Sequence, residues 1–140
     1  MIYSNLFAVL FTVALLCVTA YFLLGSVPLL ILKHDTPVDS NFIRSFFNIY
    51  YLTAIFVGTA ATLSYAFSNR PWFAAGAATI AILSTYLRHT VVAKMDALKA
   101  NIHADDLEAI PEFRKTHIIA IVVSVIQLAA VLWSVTVFKL

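Results

Sequence analysis

The sequence predicts an all-α integral membrane protein: one domain of residues 1–140, built as an up-down-up-down four-helix bundle. Four long apolar runs follow one another along the chain, 62% of the residues are hydrophobic and only 11% are charged. The mean hydropathy is +0.94. A water-soluble domain of this size has too little interior to hide so much apolar surface, and only helices satisfy every backbone donor over such runs in lipid.

The four predicted spans cover residues 6–32, 46–67, 72–93 and 118–138. The first has no charged residue over 27 positions. As a helix it measures about 40 Å, more than the roughly 30 Å of a hydrocarbon core. The second and fourth are also long enough to cross. The third is only just long enough, because its apolar part ends at Leu87 and continues as a mixed stretch to Ala93.

Charged residues are sorted to one end of the predicted bundle. We call this the polar end; it holds the two longer connections, and the terminal end holds both termini and the turn at residues 68–71. Seven basic residues lie at the polar end: Lys33, Arg44, Arg88, Lys94, Lys99, Arg114 and Lys115. Only Arg70 and Lys139 lie at the other end. The positive-inside rule therefore predicts an inner (plasma) membrane protein with a cytosolic polar end and both termini outside.

The polar end also holds all seven acids and all four histidines, so its net charge is near zero. This balance argues against a polybasic surface for nucleic acid. Between Lys94 and Lys115 the residues are polar with helical spacing, which predicts a short interfacial helix between the third and fourth spans. The single cysteine permits no internal disulfide.

Small and polar residues inside the spans predict how the helices pack. Ala54 and Gly58 in the second span, and Ala77 and Ala81 in the third, lie four residues apart and form strips where backbones approach closely. Gln127 lies near the middle of the fourth span, where an amide without a partner is costly. We expect it to bond to a Ser, Thr or Tyr on a neighbouring helix.

The ends of the spans place three histidines at similar depth at the polar end: His34, His89 and His117. Imidazoles from separate helices at one level can converge on a haem or a metal ion, so a cofactor site is one hypothesis. The alternative is that these residues snorkel or cap at the membrane interface without a ligand.

Five short motifs, in this order, resemble the anthrone-oxygenase-like group of small four-helix membrane proteins. They are Gly25–Leu30, Arg44 with Tyr50–Tyr51, Arg70–Trp72, Val91–Leu98, and Phe113 followed by His117. The resemblance covers nearly the whole chain.

The resemblance implies an oxidoreductase that adds oxygen to a lipophilic phenolic substrate at the cytosolic face. An electron-rich carbanion reacts with oxygen itself, so the protein has to hold the substrate and accept a proton. His117 and His89 are the candidate bases, and Arg88 is the candidate group for stabilising the developing phenolate or enolate. Arg44, Tyr50, Tyr51 and Arg114 are the candidate substrate-binding residues.

A non-catalytic role remains an alternative. In this hypothesis the chain is an accessory or assembly subunit that packs its small-residue strips against partner membrane helices or further copies of itself. Cation-coupled transport is disfavoured, because every Asp and Glu lies outside the predicted spans.

Overall fold

The structure, a computed structural model, describes residues 2–33, 36–103 and 108–139, and these are helical apart from short turns. Six elements follow one another: α1 (Ile2–Leu29), α2 (Pro37–Phe67), α3 (Pro71–Leu87), a π-helical turn (Arg88–Val92), α4 (Ala93–His103) and α5 (Ala109–Val137). The π-helical turn joins α3 to α4 without a break. The predicted all-α class is confirmed.

Three of these helices are long and apolar enough to cross a membrane: α1, α2 from Val38 onward, and α5. They contain the predicted second span and most of the first and fourth, since α1 ends at Leu29 and α5 at Val137. The predicted third span, 72–93, falls on α3 and the π-helical turn. With 17 residues, α3 alone measures about 26 Å, slightly less than a hydrocarbon core of roughly 30 Å.

Two of the long helices begin well before their apolar runs. We expected membrane spans to begin at residues 46 and 118, whereas α2 begins at Pro37 and α5 at Ala109. Thr36 caps α2 by accepting a hydrogen bond from the backbone N–H of Asp39 at 3.2 Å, and Pro37 occupies the first turn. A hydroxyl cap followed by proline is a favourable helix start, so the polar residues before the span continue the same helix.

A tight turn reverses the chain between α2 and α3. Asn69 adopts a positive φ of 54°, which asparagine tolerates better than most residues. The N–H groups of Asn69 and Arg70 donate to the carbonyl oxygens of Ala66 and Tyr65, at 3.2 and 3.0 Å. The last carbonyl groups of α2 are thus satisfied, and Pro71 starts α3 immediately.

The helix α1 is antiparallel to its neighbours α2 and α5. Thr12 of α1 meets Tyr65 of α2, and Ser26 of α1 meets His117 of α5. The helices α2 and α3 approach closely at Gly58, where an added Cβ would lie 3.3 Å from the Cβ of Ala81. The predicted close approach of the small-residue strips is confirmed. By contrast, α3 and α5 have few contacts with each other.

Many large apolar side chains lie on the surface of the described molecule, and several polar side chains lie within its mostly apolar interior. Large hydrophobic side chains such as Leu24, Phe56 and Ile82 are at least 70% exposed. Thr19, Ser26, Ser84 and several other polar side chains are buried. In lipid, no hydrophobic force drives apolar side chains inward, and polar side chains gain by meeting each other between helices. The burial pattern is therefore typical of a protein solvated by a bilayer.

Candidate functional site

A row of polar side chains runs along the inner face of α1. Asn5, Thr12, Thr19 and Ser26 are spaced seven residues apart, and the last three are buried. Seven residues are close to two helical turns, so these side chains lie on one face. They meet α2 and α5 at successive levels, and the interior of the bundle is organised around this row.

At the polar end, the row ends in a contact between α1 and His117. The Nε2 atom of His117 lies 3.1 Å from both Oγ and the carbonyl oxygen of Ser26. A carbonyl oxygen only accepts, so the tautomer with a proton on Nε2 is the one that donates to Ser26. Phe47 packs edge-on against the imidazole, with ring centroids 5.1 Å apart. His117 is fully buried.

The reason for this contact lies in the last turn of α1. Pro28 has no backbone N–H, and beyond it the chain tightens, because the N–H of Leu30 donates to Val27 instead of Ser26. The carbonyl group of Ser26 thereby loses its helical donor, and His117 supplies one. Arg114, one turn earlier on α5, donates to the carbonyl oxygen of Leu30 at 2.7 Å. Both residues therefore cap the end of α1.

The other two predicted catalytic residues have different surroundings. Arg88 is half-buried and donates from Nε to the side-chain oxygen of Asn48 at 3.0 Å. Its neighbour His89 is exposed on the outside of the bundle. The three predicted catalytic residues thus have different neighbours: His117 contacts α1, Arg88 contacts α2, and His89 lies on the exterior.

Besides Arg114, the predicted substrate-binding residues are Arg44, which forms an ion pair, and the neighbouring tyrosines Tyr50 and Tyr51. Arg44 forms a two-pronged ion pair with Asp96 of α4, at 2.8 and 3.0 Å. Tyr50 stacks on Phe22 with ring centroids 3.9 Å apart. Tyr51 is fully buried, and no group in the structure bonds its hydroxyl.

The hydroxyl of Tyr50 donates to Oε1 of Gln127 at 3.3 Å. The expectation that Gln127 would bond to a Ser, Thr or Tyr of a neighbouring helix is confirmed. The Nε2 atom of Gln127 is buried and has no acceptor. Gln127 thus joins α2 to α5 through one half of its amide only.

His34, the third histidine of the predicted cofactor site, lies outside the described residues. Among the residues that are described, no group of three His, Cys, Asp or Glu side chains is placed to hold a metal ion. The haem or metal hypothesis based on His34, His89 and His117 therefore stays a prediction.

A cleft of about 670 Å³ lies between α3 and α5, and we call it the lateral cleft. Its walls are residues of α3 between Trp72 and Leu83 and residues of α5 between Ile126 and Val137. Buried residues of α1 and α2 form its floor: Thr12, Leu15, Ala61 and Tyr65. This volume lies within the range of roughly 300–1,000 Å³ that is usual for small-molecule sites.

Small residues on both walls leave the lateral cleft open. A Cβ added to Gly76 would meet no atom within 4 Å, and Ala130 faces the same space from α5. Both tryptophans of the chain, Trp72 and Trp133, line the cleft and are largely exposed. The cleft therefore opens sideways, onto the apolar surface of the bundle.

Few polar groups reach the lateral cleft. The hydroxyls of Thr12 and Tyr65 lie 2.6 Å apart, and Thr12 donates onward to the carbonyl oxygen of Ala8. Tyr65 is therefore the donor within that pair. Gln127 lies at the inner end of the cleft and is 6% exposed. The Nε2 atom of Gln127 has no acceptor among the described residues and is itself buried beneath the surface of the cleft.

The lateral cleft is not among the sites predicted from the sequence. The sequence offers one sign of it: two small residues on different spans, Gly76 and Ala130, both line the cleft. No family model, curated protein or solved structure matches the chain. The proposals that follow therefore rest on the geometry of the site.

Proposed function

We propose that this chain is a multi-pass membrane protein that takes up a lipophilic small molecule from the bilayer into the lateral cleft. In this proposal α3 with the π-helical turn is the third span, which makes an up-down-up-down bundle of four spans. α4 then lies at the membrane interface of the polar end. The inner membrane, with a cytosolic polar end, is the proposed location.

The observation that carries the proposal is the lateral cleft itself. It combines a volume of about 670 Å³ with an almost wholly apolar lining and an opening onto the lipid-facing surface. A ligand dissolved in the hydrocarbon core reaches such an opening by lateral diffusion and does not have to cross water. The cleft occupies the half of the bundle nearer the terminal end, since Trp72 and Val137 lie at its outer edge.

Oxygenase activity, which the family resemblance implies, stays a prediction. Because Nε2 of His117 carries a proton when it caps Ser26, a base at this position has to act through Nδ1. The fully buried ring also needs an opening of the polar end before a phenolic substrate reaches it. Ligand uptake at the lateral cleft requires neither condition.

Filling the lateral cleft tests the proposal. Gly76→Leu starts a side chain at a Cβ position with no atom within 4 Å, and removing a helical glycine favours the helix. Ala75→Leu adds the same side chain one position away, on an exposed site outside the cleft lining. The probe is a hexadecane carrying a photoreactive diazirine, added to protein in phosphatidylcholine nanodiscs.

In the wild type and in Ala75→Leu, we expect crosslinks to map to Ile80, Ala130 and their neighbours. In Gly76→Leu, labelling of these residues should fall roughly tenfold, equivalent to about 1.4 kcal/mol of binding free energy. Labelling spread evenly over the apolar surface, unchanged by Gly76→Leu, overturns the proposal. Loss of labelling with a stable dimer in both leucine variants assigns the cleft to a second copy instead.

A further inference from the structure

Arg70 lies at the terminal end of the lateral cleft, between its two walls. It directly precedes Pro71 and Trp72, where the α3 wall begins. Its guanidinium carbon lies 4.6 Å from the ring centroid of Phe138. Phe138 directly follows Val137, where the α5 wall ends. The guanidinium therefore reaches from the start of one wall to the end of the other and forms the rim of the cleft.

An aromatic cluster supports this guanidinium. Phe138 packs edge-on against Phe73, with ring centroids 5.2 Å apart, and Phe73 stacks on Tyr65 at 5.3 Å. Both Phe73 and Tyr65 line the lateral cleft. The contact with Phe138 uses one face of the planar guanidinium, and the N–H donors lie along its edge. Arg70 is half-buried, so part of its surface is accessible to a ligand at the rim.

The side chains at the terminal end carry positive charge only. All seven Asp and Glu residues belong to the two connections at the polar end. Lys139 follows Phe138 and adds a second basic side chain beside Arg70 at the terminal end. No acidic side chain is thus available there to pair with the guanidinium. The charge that complements the rim of the cleft is an anion.

The length of the lateral cleft matches one leaflet of a bilayer. Its α3 wall runs from Trp72 to Leu83, and eleven helical steps measure about 17 Å. Half of a hydrocarbon core of roughly 30 Å is about 15 Å. Trp72 is 87% exposed, and tryptophan is typical of the level of the lipid headgroups. The cleft therefore extends from the headgroup level at the terminal end to the middle of the bilayer.

A phospholipid combines the required length and charge in one molecule. Its acyl chain extends from the headgroup level to the middle of the bilayer, and its phosphate lies at the level of Arg70. Because the cleft opens sideways, one acyl chain can enter while the second stays in the bilayer. A transmembrane helix of a partner crosses the full core of roughly 30 Å, about twice the length of the cleft.

We infer that the lateral cleft holds one acyl chain of an anionic phospholipid, whose phosphate pairs with Arg70 at the rim. This inference rests on the proposed function, since it names the ligand of the same cleft. Arginine binds phosphate through two parallel N–H···O bonds. Phosphatidylcholine has the same phosphate, but its choline cation is repelled by Arg70 and Lys139. The cleft therefore prefers phosphatidylglycerol to phosphatidylcholine.

The experiment compares two phospholipids that differ only in their headgroups. Phosphatidylglycerol and phosphatidylcholine each carry a photoreactive diazirine near the end of one palmitoyl chain, at the same low mole fraction in phosphatidylcholine nanodiscs. Crosslinks to Ile80 and Leu83 report occupancy of the cleft. Ile82 lies on the same helix, is 70% exposed and is not among the lining residues, so it reports lipid at the ordinary surface.

In the wild type, we expect labelling of Ile80 and Leu83 to be roughly fivefold higher with the phosphatidylglycerol probe, the usual effect of one basic residue near an anionic headgroup. At Ile82 the two probes should label about equally. Raising the KCl concentration should bring the ratio in the cleft toward 1, because salt screens accessible charges. Arg70→Gln should bring it to about 1 at low salt.

Lys115→Gln is the matched control for the change in charge. It removes one positive charge at an exposed position of the polar end, so the preference for phosphatidylglycerol should persist. Arg70→Lys keeps the charge but loses the two-pronged geometry, and should retain part of the preference. The salt series uses the wild type alone and does not depend on the folding of any variant.

The outcomes separate this inference from the proposed function. Equal labelling of the cleft by both phospholipids in the wild type overturns the anionic preference and leaves lipophile uptake intact. A preference that survives both Arg70→Gln and high salt overturns the role of Arg70. Stronger labelling by a diazirine palmitic acid than by phosphatidylglycerol assigns the cleft to a fatty acid and overturns the phospholipid. Failure of these probes and of the diazirine hexadecane to label the cleft overturns the proposed function itself.

Discussion

The polar end and the lateral cleft differ in how their residues are packed and paired. At the polar end, the carbonyl group of Ser26 is paired with His117, and Phe47 closes over the contact. At the lateral cleft, the walls formed by α3 and α5 stand apart, and a Cβ added to Gly76 would meet no atom within 4 Å. Polar groups in lipid have to find partners within the protein or in a ligand. The polar end is therefore closed by packed and paired side chains, whereas the lateral cleft is open, as our proposal of ligand uptake requires.

The largest expected effect is at the packed end. His117→Ala leaves the carbonyl of Ser26 without its donor and opens a cavity among fully buried side chains. We expect a loss of about 3 kcal/mol in unfolding free energy, from both causes. Denaturant unfolding in mixed micelles measures it.

The matched control is His89→Ala, at an exposed position, which should change stability by less than about 0.5 kcal/mol. Equal losses for the two alanine variants contradict a capping role for His117. His117→Gln separates capping from catalysis, since an amide still donates to Ser26 but is no base. Substrate turnover retained in that variant counts against the predicted oxygenase role of His117.

The second prediction compares the same change, glycine to leucine, at the packed α2–α3 contact and in the open lateral cleft. Gly58→Leu forces a side chain against Ala81, where even a Cβ lies at 3.3 Å. Overpacking of this kind costs about 1–3 kcal/mol. Gly76→Leu enters open space and should leave the unfolding free energy unchanged or slightly higher. Comparable destabilisation of both variants contradicts the difference in packing between the α2–α3 contact and the lateral cleft.

Hydropathy was sufficient to predict the long helices but not where they begin. The apolar run that predicts the second span begins at Phe46, just after the charged residue Arg44. In the structure Arg44 pairs with Asp96, which lies 52 positions away in the chain. That partner is visible only once α2 and α4 are packed together, so periodicity along one segment does not predict it.

The candidate site shows a second limit of sequence reasoning. Depth along a helix follows from residue number, and the histidines were grouped by depth. Direction around the helix does not follow at Arg88–Val92, because the π-helical turn interrupts the 3.6-residue period. Arg88 consequently faces Asn48, and His89 faces outward. The lateral cleft is a gap between two apolar walls, which leaves almost no pattern in the sequence.

A smaller effect distinguishes paired from unpaired tyrosines in the interior. Tyr65→Phe removes the donor to Thr12 at the floor of the lateral cleft and should cost about 1 kcal/mol. Tyr51→Phe removes a buried hydroxyl that has no partner, so it should be neutral or stabilise by up to about 1 kcal/mol. Thermal unfolding of the two variants in the same detergent decides between them. The reverse order contradicts the pairing seen in the structure.

The smallest expected effect belongs to the ion pair at the polar end. The side chains of Arg44 and Asp96 are 31% and 43% exposed, so water screens their attraction. Asp96→Asn should therefore cost only about 0.5 kcal/mol despite the two-pronged geometry. The loss should shrink as salt is raised, since exposed charges are screened at high ionic strength. A loss above about 2 kcal/mol that is insensitive to salt contradicts this account. In that case the contact between α2 and α4 would rest on a buried, unscreened charge pair, and the polar end would owe its rigidity to electrostatics as well as to packing.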